Sequence, residues 1–534
     1  MSIKAQGSRI RAKKYFFILL AILTIAVFFR FWQLSNIPPG IYPDEAINAN
    51  QAISSPGKVF YPENNGREGL FINLIFLSFS IFGISIWSFK FVSAIIGTLT
   101  VLGLYLLTKE VFQGTGYKEQ GVRSIALLSA FFLATSFWHT NFSRISFRAI
   151  LVPFCLVFLF YFLFRGFRTK KFPNFMISGI FFGLGFYTYI AFRVAIFLVF
   201  IALTFWYLVY RKQNLQKKFF LFAFCFLLFA FLLALPILIY FLKNPQDFIS
   251  RATGISVFAQ KNLLKSFGNS LLRHLLMFNF TGDKNWRHNI SSQPVLFWPI
   301  GILFLIGLVY STYKTAKILL IRNGIIYINF IFVFLLTWWF IMLLPGILTL
   351  EGIPHSLRTI GAIPPTFIFA GLGGIILWQE IEKRLEIKKH NFLKIIMIGI
   401  VLGGLCFLEY CRYFVWWGQN PEVKGAFAKD YVEIGNYLNS LPPTIKKYVI
   451  VNQGGVLVQG IPMPSQTVEF IERTKFTKPR ATYLLPENIE KIKIEEDTVI
   501  VPMRYDEGLF QKISEIFPTG SIQKENEIWI YKLE

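Results

Sequence analysis

The chain has 534 residues, of which 54% are hydrophobic and 16% charged, and its formal net charge is +25. The apolar residues gather into blocks of roughly 18 to 24, the length that crosses the hydrocarbon core of a bilayer. This composition excludes an ordinary soluble protein. The positive charge does not indicate a nucleic-acid partner, because the basic residues form short clusters between the apolar blocks, where membrane topology explains them.

The N-terminal segment predicts a retained first helix. A basic stretch precedes an apolar run over 15–32, and no small-residue cleavage site accompanies it. The four cysteines lie in or beside apolar blocks, without the spacing of a disulfide framework or a metal site. We interpret them as packing residues.

We predict a mainly α-helical, polytopic bundle with about eleven spans. The spans lie near 15–33, 87–108, 124–138, 149–164, 174–190, 192–210, 219–241, 296–313, 324–345, 359–379 and 394–414. With the N-terminus inside, every predicted cytoplasmic loop is net basic, as the positive-inside rule requires. These loops are 109–123, 165–171, 211–218, 314–322 and 380–394. The apolar stretch 70–82 is short for a span and counting it would invert every later loop, so we predict an interfacial or re-entrant segment.

The composition changes after the last apolar block. Over 421–534 acidic residues slightly outnumber basic ones, so we predict a transmembrane domain over 1–415 and a soluble extracytoplasmic α/β domain over 421–534. The second domain alternates amphipathic helices with short strand-like runs. Its predicted elements are helices 426–441, 465–473 and 506–517 and strands 448–451, 498–501 and 528–531. It contains no phosphate-binding loop or nucleophile motif.

Two adjacent carboxylates, Asp44 and Glu45, lie in the first predicted outside loop, about 34–68. Neighbouring side chains point in different directions, so one could accept a proton while the other positions a substrate or a partner arginine. Arg67 and Glu68 follow in the same loop. The competing interpretation is a solvated turn, because Pro-Asp-Glu is ordinary turn chemistry.

Arginines at three predicted outer helix junctions favour an anionic substrate, because basic residues otherwise concentrate inside. The groups are Arg144 with Arg148, Arg193 with Tyr187 and Tyr189, and Arg358 with His355. A guanidinium binds phosphate in a planar, bidentate way, so arginines and carboxylates at the outer leaflet fit a phosphate leaving group beside an acid or base. The competing interpretation is contact with lipid headgroups.

The long outside loop, about 243–295, contains Trp286, Arg287 and His288. Such side chains can stack on a sugar and hydrogen-bond at its rim, although an interfacial aromatic belt explains the tryptophan equally. The five histidines show no i, i+4 pairing with a carboxylate, so we predict no metal site.

Five stretches in this order resemble the GT-C superfamily, specifically the glycosyltransferase family 39 group of protein O-mannosyltransferases and the aminoarabinose transferase of lipid A. The resemblance covers roughly residues 10–415. The stretches are Tyr42-Pro-Asp44-Glu45-Ala46, Gly66-Arg67-Glu68-Gly69, Ser143-Arg144-Ile-Ser-Phe-Arg148, Gly282-Asp-Lys-Asn-Trp286-Arg287-His288-Asn289 and Pro354-His355-Ser-Leu-Arg358. The resemblance implies a sugar donor on a polyprenyl phosphate, inversion at the anomeric carbon, Asp44 as the catalytic aspartate with Glu45 beside it, and outer arginines that hold the phosphate.

Two departures from that family concern the acceptor. The stretch around Arg67 replaces the His-Pro-Pro of mannosyltransferase relatives, and the C-terminal domain is not the sugar-binding repeat module of the eukaryotic enzymes. Whether the acceptor is a protein, a lipid or a glycan is therefore open.

We predict a glycosyltransferase of the cytoplasmic membrane of a prokaryote, with the donor and membrane lipids as partners. We predict that its reaction requires no cofactor or metal, and the sequence does not exclude a divalent metal ion. One alternative is a polysaccharide polymerase or ligase, which also gathers outer arginines. Another is a transporter, which predicts mid-membrane charges and inverted repeats that the sequence does not show.

Overall fold

The computed structural model describes residues 3–113, 117–248, 262–320, 327–384, 391–493 and 497–533. The chain forms two compact units. The helical unit comprises Met1–Trp32 and Ser93–Trp417, and the mixed unit comprises Gln33–Val92 and Gly418–Glu534. His390 and parts of four predicted loops (109–123, 243–295, 314–322 and 380–394) lie outside the described residues.

Nine helices among the described residues are long and apolar enough to cross a membrane, so this is a multi-pass membrane protein. Their α-helical parts are Ile3–Phe31, Ile86–Phe112, Leu151–Thr169, Ala195–Lys212, Gln216–Lys243, Trp298–Leu320, Tyr327–Ile341, Ile363–Arg384 and Asn391–Tyr410. Other helices of the helical unit are Glu119–Thr135, Phe137–Phe142, Phe172–Gly185, Leu263–Leu276 and Leu344–Ile347, with 3-10 segments Arg148–Ile150, Ile190–Val194 and Ile360–Ala362 and a π-helix Cys411–Trp417. Each of the nine coincides with a predicted span.

The other two predicted spans are shorter helices. The stretch 124–138 falls in Glu119–Thr135, which has 17 residues, and 174–190 falls in Phe172–Gly185, which has 14. Apolar residues continue past Gly185 although the helix ends there, and hydropathy alone cannot register such a turn. Counted by length, the spanning helices of the described chain number nine rather than eleven.

The short apolar stretch of the mixed unit is the helix Leu70–Phe82, which has 13 residues. At a rise of about 1.5 Å per residue it is about 20 Å long, against a hydrocarbon core of about 30 Å. It is therefore too short to cross the bilayer as a straight helix.

The mixed unit contains all the described strands. They are β1 (Phe60–Tyr61), β2 (Arg67–Glu68), β3 (Lys446–Ile450), β4 (Leu457–Val458), β5 (Ile461–Pro462), β6 (Thr482–Leu484), β7 (Thr498–Pro502), β8 (Ser521–Glu525) and β9 (Ile528–Leu533). Five of them form one sheet in the order β6-β3-β7-β9-β8. β3 is parallel to β6 and β7, whereas β9 is antiparallel to β7 and β8. The predicted α/β character is confirmed, and β6 and β8 are additions to it.

Helices cover both faces of this sheet, which explains why β3 and β7 are apolar along most of their length. The helices of the mixed unit are Pro43–Ser54, Leu70–Phe82, Pro421–Ala426, Lys429–Ser440, Ser465–Arg473 and Glu507–Ile516, with a 3-10 segment Pro486–Lys491. Leu438 and Val468 pack on one face, against Val449. Phe510 packs on the other face, against Ile500.

The helix Ser465–Arg473 also packs against Pro43–Ser54, which carries Asp44. The Asn50 amide donates to the carbonyl oxygen of Gln466 at 2.9 Å and to its side-chain oxygen at 3.0 Å. The Thr467 hydroxyl donates to the backbone oxygen of Ile41 at 3.1 Å. We call Gly418–Glu534 the C-terminal part of the mixed unit. It therefore supports the helix that carries Asp44 and Glu45 within one compact unit.

Candidate active site

Asp44 and Glu45 lie in the first turn of the helix Pro43–Ser54, where the helix dipole favours negative charge. Pro43 begins the helix, a position where its missing N–H is not needed. Glu45 is fully buried, and its Oε1 accepts a hydrogen bond from the Tyr42 backbone N–H at 3.3 Å. Asp44 is only half-buried, and its Oδ1 accepts from the Asn64 side-chain amide. The two carboxylates thus occupy different environments, with Glu45 enclosed and Asp44 accessible.

Arg67 ties the helix Pro43–Ser54 to the following hairpin. Its guanidinium is 2% exposed and donates to the side-chain oxygens of Asn48 at 2.7 Å and Gln51 at 2.5 Å. The Gln51 amide in turn donates to the Glu63 carboxylate at 3.1 Å. Because a guanidinium is planar and makes both contacts at once, this network fixes the helix and the hairpin relative to each other.

The hairpin requires its two glycines. Tyr61 in β1 pairs with Arg67 in β2. Gly66 has a φ of +78°, which a residue with a Cβ adopts only at a cost. At Gly69 a Cβ would collide with the backbone carbonyl oxygen of Lys58. The stretch Gly66-Arg67-Glu68-Gly69 is therefore the short strand β2 with a glycine at each end, and it places Arg67 beside its partners.

In the helical unit, two loops meet at Asp283. Its Oδ2 lies 3.2 Å from His288 Nδ1 and accepts from the Ser356 N–H and hydroxyl, both at 2.9 Å. Its Oδ1 accepts from the Asn285 N–H at 2.9 Å. His355 lies beside them, with its ring centroid 4.9 Å from that of His288. Asp283 thus joins the predicted stretches around His288 and His355.

Burial and neighbouring charges shift the pKa values of Asp283 and His355. Burial raises the pKa of Asp283, but the hydrogen bond and charge of His288 outweigh it, so the pKa lies well below its usual value. Burial, followed by the charges of His288 and Arg358, holds the pKa of His355 well below its usual range. At neutral pH Asp283 is therefore ionised and His355 is neutral.

Arg358 lies next to this cluster and forms an ion pair. Its guanidinium is 9% exposed as a residue and donates to the Glu351 carboxylate at 2.7 Å and to the Glu351 backbone oxygen at 3.0 Å. Glu351 itself is 66% exposed. An exposed partner is exchanged at little cost, so Arg358 can engage an anion in place of Glu351.

The loop that contains Trp286 and Arg287 is anchored through its backbone. The Trp286 carbonyl accepts from the Trp417 indole at 2.9 Å, and the Arg287 carbonyl accepts from the Asn141 amide at 2.7 Å. Asn141 also contacts the Tyr413 hydroxyl at 3.4 Å. The sequence stretches around Asn141 and Arg287 therefore meet in one connected network.

Arg144 is fully buried at the C-terminal end of the first helix. It donates to the carbonyl oxygens of Phe29 at 3.0 Å and Trp32 at 2.6 Å, and its guanidinium lies 5.0 Å from the Phe414 ring centroid. The last carbonyls of a helix lack intrahelical donors, and an arginine there satisfies them and the helix dipole. This geometry favours a structural role for Arg144, while its predicted phosphate contact stays a prediction.

The other arginine predicted beside it has a different environment. The Arg148 guanidinium is half-buried and lies 5.5 Å from the ring centroid of Tyr189, which is buried. A cation held over an aromatic face is positioned without losing its charge. Arg148 and Tyr189 are thus brought together from two predicted stretches.

Tyr187 and Arg193 contact the helix Gln216–Lys243 and the residues that follow it. The Tyr187 hydroxyl donates to the Leu233 carbonyl at 2.7 Å and accepts from the Ile237 N–H at 3.2 Å, beside the proline inside that helix. A side chain inserted in this way satisfies backbone groups of the helix next to its proline. Arg193 donates to the Phe248 carbonyl at 3.1 Å and lies 4.1 Å from its ring centroid.

Several polar residues of these networks were not predicted from the sequence. Asn48 and Gln51 follow Asp44 at helical spacing, so a helix prediction for this segment would have found them. Instead the segment was predicted as a loop, and the structure corrects this: Pro43–Ser54 is a 12-residue helix that begins with a proline. Asn64 and Ser356 carry no sequence signal of their own, because only the fold brings them to Asp44 and Asp283.

Residues 70–240 match a protein family described as dolichyl-phosphate-mannose-protein mannosyltransferase, PMT_2. This segment, about a third of the chain, matches the PMT_2 family of GT-C glycosyltransferases. The predicted resemblance is thereby confirmed, and with it the enzyme class, which uses sugars linked to polyprenyl phosphates. A comparison with curated proteins gave no match to this chain.

Three solved structures are similar to this chain over most of its length. ArnT from Cupriavidus metallidurans, bound to undecaprenyl phosphate, has 11% identity and a TM-score of 0.53, over 96% of this chain and 97% of ArnT. Its apo form has 10% identity and a TM-score of 0.53, over 98% of each chain. The archaeal oligosaccharyltransferase AglB from Archaeoglobus fulgidus, in complex with an inhibitory peptide and a dolichol-phosphate, has 13% identity and a TM-score of 0.44, over 89% of this chain and 65% of AglB. At these identities the likeness to ArnT establishes an ArnT-like fold.

Proposed function

We propose that this enzyme transfers a sugar from a polyprenyl-phosphate donor to an acceptor on the outer face of a prokaryotic cytoplasmic membrane, with Asp44 as the base. The observation that carries the proposal is the placement of Asp44. It is the accessible carboxylate of an adjacent pair, at the start of a helix that Arg67 and the C-terminal part hold in place. Catalytic geometry needs this kind of rigid support.

The proposed reaction inverts the anomeric carbon in one displacement. An acceptor hydroxyl attacks the carbon from the face opposite the phosphate, and the polyprenyl phosphate leaves with the electrons of the broken bond. Asp44 accepts the hydroxyl proton. Since phosphate is a good leaving group, proton transfer can come late, and a carboxylate of ordinary basicity suffices. The step requires no metal.

We assign the phosphate to arginines of the helical unit, with Arg148, Arg193 and Arg358 as the candidates. Guanidinium groups neutralise the charge of the leaving phosphate and bind it through paired hydrogen bonds. The Arg148 contact with Tyr189 and the exchangeable Arg358 contact with Glu351 support these assignments. In the aromatic and polar loop at 286–288, Trp286, Arg287 and His288 are the candidates for contacts with the sugar.

We expect Arg148→Lys to weaken donor binding by about 2 kcal/mol, because lysine keeps the charge but loses the planar fork. Arg144→Lys is the matched control. It should lower thermal stability, since Arg144 donates to helix-terminal carbonyls, and leave the donor affinity of the folded protein unchanged. Donor titration and thermal unfolding of both purified variants measure these effects. Wild-type donor affinity in Arg148→Lys would remove its assignment.

A second prediction concerns topology. The basic loop at 165–171 should face the cytoplasm and the C-terminal part should face outside. In intact cells a membrane-impermeant thiol reagent should therefore label an exposed cysteine introduced at Lys478 and should not label one at Lys171. The parent protein controls for labelling of native cysteines. The opposite pattern would overturn the placement of the acceptor on the outer face.

The proposed transfer is tested with purified protein in lipid, a panel of polyprenyl-phosphate sugars, and envelope fractions as acceptors. We expect one donor to yield a glycosylated product whose anomeric configuration is opposite to that of the donor. Polymerised glycan, made from a diphosphate-linked oligosaccharide, would instead indicate the polymerase or ligase. Donor movement across the bilayer without any transfer would indicate a transporter.

A further inference from the structure

Three metal-ligand side chains of the helical unit converge from two loops that are far apart in the sequence. They are Asp283 and His288 from one loop and His355 from the other. One ligand atom from each lies within 4.8 Å of the other two. The Oδ2 of Asp283 is 3.2 Å from His288 Nδ1 and 3.9 Å from His355 Nδ1. A search for short histidine spacings cannot detect a set of this kind.

The His355 ring supplies an independent observation. Its Nδ1 is buried and makes no hydrogen bond among the described residues. A buried polar atom without a partner costs about 1–3 kcal/mol, so such atoms call for an explanation. His274 does not provide it, because its Nε2 accepts from the His355 backbone N–H, at 3.2 Å, rather than contacting the ring.

We propose that Asp283, His288 and His355 bind a zinc ion that clasps the two loops together. Two imidazoles and one carboxylate are a zinc ligand set, whereas magnesium and calcium prefer oxygen ligands throughout. Tetrahedral zinc with bonds of about 2.0–2.1 Å places its ligand atoms about 3.3 Å apart. The separations of 3.2 and 3.9 Å from Asp283 Oδ2 are close to this value, and zinc binding would draw the two imidazole rings together from a separation of at most 4.8 Å. Zinc takes the place of the direct contact between Asp283 and His288, and water takes the fourth position.

The surroundings of the carboxylate fit this role. The Ser356 N–H and hydroxyl and the Asn285 N–H all donate to Asp283, and such outer partners orient a ligand toward its metal. The zinc site lies in the helical unit, and it does not depend on the proposed sugar transfer.

Without a metal, the contacts of Asp283 with His288 and Ser356 hold the same two loops together, and we call this arrangement the metal-free clasp. In that case the His355 ring contributes no hydrogen bond, and its replacement by a side chain of similar size changes little. His355→Gln therefore separates the two possibilities, because it removes a zinc ligand while keeping the contacts of Asp283 with His288 and Ser356. Ser356→Ala is the matched control: it loosens the clasp and keeps all three ligands.

The experiment uses the full chain, purified without metal-affinity resin and incubated with zinc chloride. Bound zinc is measured by mass spectrometry after dialysis, and affinity is measured by competition with a chromogenic chelator. We expect about one zinc per chain, an affinity about 10-fold lower in Ser356→Ala, and about 100-fold or more lower in His355→Gln. A chelator should lower the melting temperature of the wild type but not of His355→Gln.

Two results would overturn the site. One is a wild-type protein that retains no zinc after incubation, and the other is His355→Gln with wild-type zinc affinity. If Asp283→Asn is also made and fails to fold, the His355 and Ser356 variants still decide between zinc and the metal-free clasp.

Discussion

Asp44→Asn should lower sugar transfer by roughly a factor of 100 or more while donor binding survives. Asparagine is nearly isosteric and its side-chain oxygen can still accept the hydrogen bond from Asn64, so the helix start is preserved. What is lost is the group that takes the proton of an acceptor hydroxyl. Transfer rate and donor affinity are to be measured on the same purified variant.

Glu45→Gln is the matched control for this experiment, because it makes the same chemical change one residue away. Glu45 is buried and accepts from the Tyr42 backbone, which a glutamine oxygen can also do. We expect it to affect substrate binding more than turnover. Unimpaired transfer by Asp44→Asn, or an equal loss of turnover in both variants, would contradict the assignment of Asp44 as the base.

Arg67→Lys should reduce both stability and transfer although it keeps the charge. Lysine cannot donate to Asn48 and Gln51 at once, so at least one buried hydrogen bond to a charged group is lost, at about 1.5–3 kcal/mol. Because that network holds the helix of Asp44, a small displacement should lower transfer by about tenfold or more. Thermal unfolding and transfer assays measure the two effects.

Arg504→Lys controls for the substitution itself, since Arg504 is exposed in the same unit. We expect a change of no more than about 0.5 kcal/mol there, as is usual for surface positions. If Arg67→Lys were as stable and active as Arg504→Lys, the network around Arg67 would have no part in positioning Asp44.

The fold could be predicted from the sequence where length and periodicity decide it. Long apolar blocks gave the spans, and helical and strand periods gave elements such as Ser465–Arg473 and β7. Helix ends inside apolar runs could not be predicted, because hydropathy does not change at Gly185. The helix Pro43–Ser54 was missed because polar residues and an initial proline resemble a turn.

The candidate site was predictable in its residue types and less so in its contacts. Residue chemistry pointed to Asp44 and to arginines, but it could not tell a phosphate ligand from a helix cap. Arg144, which donates to the carbonyls of Phe29 and Trp32, shows this limit. The contact between the C-terminal part and the helix of Asp44 was also beyond reach, since Asn50 and Gln466 are 416 residues apart.

The role of the C-terminal part follows from that contact. It had no motif of its own, yet its helix Ser465–Arg473 packs against the helix that carries Asp44. The ring centroid of Phe470 also lies 5.2 Å from the ring centroid of Phe89 and 6.1 Å from that of Phe79. We infer that the C-terminal part stabilises the catalytic helix, whatever else it binds.

The most direct measurement presents one sugar to the purified enzyme in three forms: on polyprenyl phosphate, on polyprenyl diphosphate and on a nucleotide. We expect transfer only from the polyprenyl phosphate, with one polyprenyl phosphate released for each sugar transferred, and a rate roughly 100-fold or more lower in Asp44→Asn. Transfer from the nucleotide sugar alone, or equal transfer by wild type and Asp44→Asn, would contradict the proposed function.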